Sequence, residues 1–328
     1  MPTTRITWRA RTWLAVAGVI LGSLVAASPA VGASPAGGRA GDSGPVVGTS
    51  DGAVRGLANG ALDEFLGIPY AAPPVGALRW QPPQPAAGWS GVRDATQFGP
   101  HCPQLASPFG VASTSENCLF LNVFTPSGRR ARRHSPVMVW IHGGALVTGE
   151  SDDYLPTKLV QDGVTVVTIN YRLGALGFLA HPALADAKGQ SGDYGLMDQQ
   201  AALRWVRKNI ARFGGDPRNV TVFGESAGGL STLSQVASPQ ARGLFEKAIV
   251  ESGSYNLTQA SLASAESAGE AFAAKAGCAS QTAACLRSLP VSTILADEDA
   301  AGYTPNINTE VLPESLGTAF ATGNFNRV

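Results

Sequence analysis

The sequence predicts an α/β fold with a mainly parallel central sheet. Residues 164–170 and 219–223 are apolar and rich in β-branched side chains, the composition of strands that are buried on both faces. Between them, residues 196–213 repeat apolar side chains at helical spacing, and Gly214-Gly215 follow as a helix stop. Because strands alternate with helical segments along the chain, a parallel sheet covered by helices is favoured.

The N-terminal segment, residues 1–33, is predicted to be a secretory signal peptide. Three arginines precede the apolar run 13–27, and Val31-Gly32-Ala33 fits the small-residue pattern of a cleavage site. An uncleaved membrane anchor is the alternative, but the run is shorter than the ~20 residues that span a bilayer. We therefore expect a secreted protein without a stable membrane anchor.

Composition places the rest of the chain among globular proteins. The 328 residues are 44% hydrophobic and 15% charged, with a formal net charge of zero. A disordered or nucleic-acid-binding chain would carry a large charge imbalance, so no nucleic-acid partner is expected. Residues 34–45 are rich in Gly, Ala, Ser and Pro and predict a flexible mature N-terminus. The folded domain is expected over residues 46–328.

Further elements are predicted on both sides of the central runs. Residues 118–124 and 137–141 have strand composition, and the basic segment 129–134 between them is interpreted as a solvated hairpin loop. Residues 248–251 predict another buried strand, and the alanine-rich stretch 261–275 predicts a helix.

The motif Gly224-Glu225-Ser226-Ala227-Gly228 stands between the predicted strand 219–223 and a helical segment. A G-x-S-x-G nucleophile elbow requires this succession of strand, sharp turn and helix. The two glycines allow the chain to pass closely on both sides of a strained serine. A glycine-rich turn that contains a serine by chance is the alternative. Ser226 is thus the candidate nucleophile, and the Ala227 N–H is a candidate donor to an oxyanion.

A second glycine motif, His142-Gly143-Gly144-Ala145-Leu146, directly follows the predicted strand that ends at Ile141. This is the position of the HGGG-type loop that supplies the other half of an oxyanion hole. Glycines there let consecutive backbone N–H groups converge on one oxygen. The alternative is a tight turn without a chemical role.

The four cysteines are Cys102, Cys118, Cys278 and Cys285. An even number in an exported protein suggests disulfides, for which three connectivities are possible. The sequence-local pairing closes two short loops. A metal site is the rival interpretation, but the sequence has no C-x-x-C motif and no histidine near the second pair.

Together these motifs resemble the type B carboxylesterase/lipase family, the cholinesterase-like branch of the α/β-hydrolases. The resemblance implies an α/β-hydrolase fold and hydrolysis of small-molecule carboxylic esters through an acyl-Ser226 intermediate. It implies Gly144, Ala145 and Ala227 as oxyanion donors and no metal or organic cofactor. The matching stretches, in the family's order, are 65–71, 115–123, 140–145, 170–174, 195–199 and 213–221.

The resemblance also assigns supporting roles. Glu225 matches the acid that precedes the family's serine and organises the site, and His142, Gly143, Gly224 and Gly228 match positions that shape it. The family loop often has glycine where this chain has Ala145, although alanine keeps the N–H. The resemblance further implies the ion pairs Arg79–Glu116 and Arg172–Asp198 and the disulfides Cys102–Cys118 and Cys278–Cys285.

The triad partners of Ser226 are missing from their expected places. In these hydrolases the order along the chain is serine, acid, histidine, but His101, His134, His142 and His181 all precede Ser226. We therefore expect an N-terminal fragment of a secreted serine carboxylesterase, without the last central strands, the triad acid and the triad histidine, and with little activity of its own. The alternative is a catalytically inactive cholinesterase-like binding or adhesion protein, or a truncated relic.

Overall fold

The structure is a computed structural model that describes most of the chain beyond the expected signal peptide. Residues 1–33, most of the segment 34–45 and most of the basic run 129–134 lie outside the described part. The described residues are 44–60, 62–128, 134–299, 302–308 and 310–328.

Strands dominate the first part of the described chain, and strands and helices alternate thereafter. The strands are β1 (Val46–Gly48), β2 (Ala53–Arg55), β3 (Leu57–Asn59), β4 (Leu62–Pro69), β5 (Val92–Asp94), β6 (Phe120–Pro126), β7 (Ser135–Ile141), β8 (Thr165–Ile169), β9 (Gly215–Glu225), β10 (Lys247–Glu251), β11 (Ala260–Ser261) and β12 (Asn306–Ile307). The helices are α1 (Thr157–Gln161), α2 (Gly174–Phe178), α3 (Tyr194–Asn209), α4 (Ala227–Ala237), α5 (Leu262–Lys275), α6 (Ala283–Ser288), α7 (Val291–Asp297) and α8 (Leu316–Thr322).

A seven-stranded sheet in the order β10-β9-β7-β8-β6-β4-β3 organises the fold. The pairs from β10 to β8 are parallel, and the pairs from β8 to β3 are antiparallel. All residues of β8 are buried, which explains its uniformly apolar, β-branched composition. The expected parallel pairing thus holds for the half of the sheet that leads into the serine motif.

The expected hairpin between residues 118–124 and 137–141 is wrong. In the structure β8 lies between β6 and β7, antiparallel to β6 and parallel to β7. In this middle position both edges of β8 are paired, and all of its residues are buried. Chain order alone did not reveal this insertion.

The expectation of a buried strand at 248–251 is also wrong, although the strand itself forms. Ile249 is 43% exposed and Val250 is 37% exposed in β10. Within the described residues, β10 pairs only with β9 and so forms an edge of the sheet. An apolar run predicts a strand, but it does not distinguish a central position from an edge.

Helix α4 is held on the sheet by a buried polar network as well as by apolar packing. It contacts β9 and β10, and α3 packs beside it. The Gln235 amide donates to Gln199 Oε1 at 2.9 Å, and the Gln199 amide donates to Ser231 Oγ at 3.1 Å. These hydrogen bonds between buried side chains hold α3 and α4 in one relative position. No helix among the described residues combines the length and apolar character needed to cross a membrane.

The two disulfides each join cysteines that are close in sequence. Cys102 is bonded to Cys118 and Cys278 to Cys285, with Cα atoms 4.9 and 5.7 Å apart. Closing the first loop stabilises the fold by roughly 3 kcal/mol on the chain-entropy model. The ion pairs Arg79–Glu116 and Arg172–Asp198 are both formed.

A buried carboxylate precedes α3. Asp193 has no exposed surface and adopts the left-handed conformation, with φ 59°. Its oxygens accept hydrogen bonds from the Asn306 N–H at 3.0 Å and from the Asn308 amide at 2.7 Å. Burial raises the pKa of Asp193 to about 8, although the Asn306 hydrogen bond acts in the opposite direction.

This pKa predicts that the protein loses stability as the pH rises through neutrality. The unfolded chain releases the Asp193 proton near its ordinary pKa of about 3.9, whereas the folded chain retains it. The free energy of unfolding should therefore fall by about 1–2 kcal/mol between about pH 6.5 and pH 8. Thermal melts across this range check the slope. Asp193→Asn should reduce the slope and leave the smaller contribution of Glu298, whose pKa is raised by burial to about 7. Asp162→Asn, at an exposed position, should leave the slope unchanged; an unchanged slope in Asp193→Asn would contradict the assignment.

Candidate active site

Ser226 occupies the single residue between β9 and α4. Its φ of 53° and ψ of −119° lie outside the regions that side chains other than glycine normally adopt. Such backbone strain costs on the order of 1–3 kcal/mol and must be held by the surroundings. The Ser226 N–H donates to the Glu251 carbonyl at 2.8 Å, and the Ser226 carbonyl accepts from the Leu230 N–H at 2.9 Å. β10 and α4 therefore clamp the turn from both sides.

The glycines around Ser226 are required by close backbone approach. A Cβ atom at Gly224 would lie 2.5 Å from the Gly228 carbonyl carbon. A Cβ atom at Gly228 would lie 2.0 Å from the carbonyl oxygen of Ile141, the last residue of β7. The elbow is thus packed directly against the end of the neighbouring strand, where the second glycine motif begins.

The loop after β7 lies against the elbow. A Cβ atom at Gly143 would be 3.3 Å from the Ser226 Cβ and 3.3 Å from Glu225 Oε2. The Gly144 carbonyl accepts hydrogen bonds from the Val147 and Thr148 N–H groups at 3.1 and 3.0 Å, which closes the loop into a tight turn. The structure therefore brings the two glycine motifs into one site.

Two residues of this loop carry strain that glycine would avoid. Ala145 and Leu146 have φ values of 54° and 63°. Leu146 is buried, and its carbonyl accepts from the Gly174 N–H at 2.7 Å. Ala145 is exposed. The buried Leu146 therefore anchors the loop, whereas its neighbour Ala145 lies at the protein surface.

His142 is a structural residue of the loop. Its ring is buried and stacks on Tyr171 with centroids 4.4 Å apart, and Nδ1–H donates to the Gly143 carbonyl at 2.9 Å. The Tyr171 hydroxyl donates to the His142 carbonyl at 2.9 Å. Burial lowers the pKa of His142 to about 4, so the ring is neutral at physiological pH. A neutral ring with Nδ1 engaged by its own loop holds the backbone in place.

The other three histidines either contact other side chains or lie at the protein surface. His181 accepts from the Ala183 N–H at Nδ1, and its Nε2 lies 2.7 Å from Gln281 Oε1. His134 is exposed just before β7. His101 directly precedes Cys102 in the sequence and lies between the carboxylates of Glu150 and Asp152.

The two disulfide loops have different relations to the site. Within the first loop, Gln104 is buried, and its Oε1 accepts from the Thr148 hydroxyl at 2.6 Å and the Gly149 N–H at 2.8 Å. The Cys102–Cys118 loop thus supports the segment that follows the second glycine motif. The Cys278–Cys285 loop instead contacts His181 through Gln281.

Tyr255 is a site residue that the sequence reasoning missed. Burial and the Glu225 carboxylate raise the pKa of its hydroxyl, and a hydrogen bond with Ser226 partly offsets this rise. Tyr255 follows β10, which is parallel to β9 and in register with it up to Glu251 and Glu225. Residues after neighbouring parallel strands meet at the same sheet edge, so a correct strand order would have pointed to it.

The comparisons with known proteins show the family of this chain. The model of the family described as "Carboxylesterase family" matches residues 43–324. This chain belongs to the carboxylesterase family. Among its curated relatives, fumonisin B1 esterase of Sphingopyxis macrogoltabida is 44% identical over 268 residues, which cover 79% of this chain and 49% of that protein. Para-nitrobenzyl esterase of Bacillus subtilis (strain 168) is 47% identical over 232 residues, which cover 68% of this chain and 47% of that protein.

Solved structures of carboxylesterases share the fold. A PNB esterase structure matches with a TM-score of 0.80 at 39% identity, covering 86% of this chain and 61% of that one. The carboxylesterase EST55 of Geobacillus stearothermophilus matches with a TM-score of 0.77 at 40% identity, covering 85% and 59%. The predicted α/β-hydrolase fold is therefore confirmed. The chain spans about half the length of the two curated relatives named above.

Proposed function

We propose that this protein hydrolyses carboxylic esters of small molecules through an acyl intermediate on Ser226. The observation that carries the proposal is the strained Ser226 turn packed against the loop of Gly143 and Gly144. Membership of the carboxylesterase family supports the same reaction class. A strained serine held beside a glycine-rich loop has no evident structural purpose, whereas acyl transfer requires both parts.

In the proposed reaction, Ser226 Oγ attacks the ester carbonyl carbon and forms a C–O bond. The carbonyl oxygen then carries a negative charge, which the N–H groups of Gly144, Ala145 and Ala227 would stabilise. Ala227 is the first residue of α4, and the first N–H groups of a helix have no acceptor within the helix. Each such donor typically contributes about 3–4 kcal/mol to the transition state. The C–O bond to the alcohol breaks, the alcohol leaves with a proton, and water hydrolyses the acyl-Ser226 ester.

The remaining predicted residues would position these groups. Gly143, Gly224 and Gly228 permit the close approach of the loop to the elbow, and His142 fixes the loop backbone. Glu225 Oε2 lies beside Gly143, where it would orient the elbow without entering the reaction. No metal or organic cofactor takes part in the proposed steps.

The reaction needs a general base for the Ser226 proton. The four histidines of this chain have other surroundings, as described above, and the family's histidine and acid follow its serine. We propose that both groups lie outside these 328 residues, so that this chain alone has little turnover. The oxyanion hole by itself can leave a residual rate of 10³–10⁴-fold over water.

We also propose that the protein is secreted. The arginines, apolar run and cleavage pattern of residues 1–33 support export. The two disulfides support an oxidising compartment, because such bonds are rare in the cytosol.

Covalent labelling tests the nucleophile. We expect a fluorophosphonate probe in excess to add slowly to this chain, with the adduct located on the Ser226 peptide by mass spectrometry. Ser226→Ala should remove the adduct. Ser267→Ala, the same change at an exposed position of α5, should label like the original chain. An adduct at another serine would contradict the assignment, and complete inertness of a correctly folded chain would favour the binding-protein alternative.

A further inference from the structure

His101 lies between two carboxylates at the base of the Cys102–Cys118 loop. Its Nδ1 is 2.9 Å from Glu150 Oε2, and its Nε2 is 3.0 Å from Asp152 Oδ1. The Glu150 side chain is 4% exposed and the His101 side chain 19%. One ligand atom of each residue lies within 4.8 Å of the others. The group can therefore offer one imidazole nitrogen and two carboxylate oxygens, and in the structure each carboxylate contacts a different ring nitrogen.

The charges in this group are incompletely balanced. A neutral imidazole has one N–H and can donate to only one of the two carboxylates. The charged groups that act on Glu150 are His101, Asp152 and Asp153. Even with a protonated ring, ionised Glu150 and Asp152 leave this group with a net charge of −1, and the exposed Asp153 adds a further negative charge beside it. Across the described chain, no lysine or arginine forms an ion pair with these carboxylates. A divalent cation would compensate this charge.

The donor set indicates which cation. Carboxylate oxygens alone favour Mg²⁺ or Ca²⁺, whereas the added imidazole nitrogen favours a borderline ion such as Zn²⁺. Tetrahedral Zn²⁺ binds these donors at about 2.0–2.2 Å, which separates neighbouring donors by roughly 3.3 Å. One donor atom of each residue lies within 4.8 Å of the others. Because Glu150 and Asp152 contact different ring nitrogens, one carboxylate would have to move toward the nitrogen that binds the ion.

We propose that His101, Glu150 and Asp152 bind one Zn²⁺ ion, with solvent as the fourth ligand, and that the bound ion cross-links the segments that carry these three residues. Glu150 and Asp152 follow Gly149, at the end of the segment supported by Gln104. Glu150 Oε2 also accepts from the Val111 N–H within the disulfide loop, at 2.9 Å. The ion would link the Cys102–Cys118 loop to Glu150 and Asp152, which follow the loop after β7. It would take no part in the proposed ester hydrolysis at Ser226.

Metal titration of the purified chain tests this site. After treatment with EDTA and dialysis, we expect isothermal titration with ZnCl₂ to show one ion per chain, confirmed by elemental analysis. Zn²⁺ should raise the melting temperature, since a ligand that binds only the folded state stabilises it. It should also slow proteolytic cleavage at the exposed residues Leu105 and Phe109 of the disulfide loop.

Variants separate this site from adventitious binding. His101→Gln should weaken Zn²⁺ binding by at least about tenfold, since even partners that only support a ligand change affinity by 10–100-fold. His134→Gln, at an exposed histidine outside the cluster, should bind like the original chain. Glu150→Gln provides a second test if His101→Gln folds poorly by circular dichroism. Absence of stoichiometric Zn²⁺, equal binding by His101→Gln, or equal loss in His134→Gln would overturn the proposal.

Discussion

Gly228→Ala is expected to destabilise the protein strongly and to abolish labelling of Ser226. Alanine is normally better than glycine in a helix by about 1 kcal/mol. Here the added Cβ would lie 2.0 Å from the Ile141 carbonyl oxygen, a backbone atom that cannot rotate away. Overpacking typically costs about 1–3 kcal/mol and more against fixed atoms, so the clash outweighs the helix gain. We expect a loss of about 3 kcal/mol or more, a fall in melting temperature on the order of 10 °C.

The matched control is Gly48→Ala in β1, where a Cβ atom meets nothing within 4 Å. That variant should change the free energy of unfolding by less than about 1 kcal/mol and should keep Ser226 reactive. Circular dichroism melts and probe labelling of both variants provide the comparison. Equal melting temperatures for the two variants would show that the elbow tolerates a side chain, against the packing described above.

Asp198→Asn is expected to destabilise the protein by a similar amount. Arg172 Nε and Nη2 donate to the two oxygens of Asp198 at 2.7 and 2.8 Å, and the Arg172 N–H donates to Oδ2 at 3.1 Å. The two side chains are 3% and 0% exposed. An asparagine keeps the shape but leaves the buried guanidinium without its counter-charge. Breaking a buried pair in this way typically costs about 3–5 kcal/mol. Urea denaturation measures the loss.

Asp297→Asn supplies the same chemical change in an exposed pair. Asp297 lies 3.8 Å from Lys275, whose side chain is 58% exposed. Solvent screens such pairs, so the expected loss is about 0–1 kcal/mol. If Asp198→Asn and Asp297→Asn proved equally mild, the Arg172–Asp198 pair would not be a major source of stability.

Local sequence signals predicted the sharp turn at Ser226 and its close backbone contacts. The Gly224-to-Gly228 motif carries its own structural requirements, because a sharp turn between strand and helix needs glycines wherever backbones approach closely. The structure places Ser226 in that turn and the Gly143-Gly144 loop beside it. Such motifs are short, and their geometry depends on neighbouring residues along the chain.

Features that depend on distant partners were predicted less well. Residues 248–251 have the composition of a buried strand, but burial depends on what covers the strand, and β10 is at an edge. Tyr255 reaches Ser226 only because β10 and β9 are adjacent and parallel. His101 and Asp152, two of the proposed zinc ligands, are 51 residues apart, so no local spacing indicates their contact.

The sequence by itself determined the fold class, the family resemblance, the candidate nucleophile and the glycines around it. Each of these is encoded in periodicity or in a short motif whose residue types follow from local backbone geometry. The tertiary structure decided the insertion of β8 between β6 and β7, the exposed edge at β10, and the contacts of Tyr255 and His101. These features depend on strand order and long-range pairing. The same local pattern is compatible with several topologies, and the topology determines which side chains far apart in sequence come into contact.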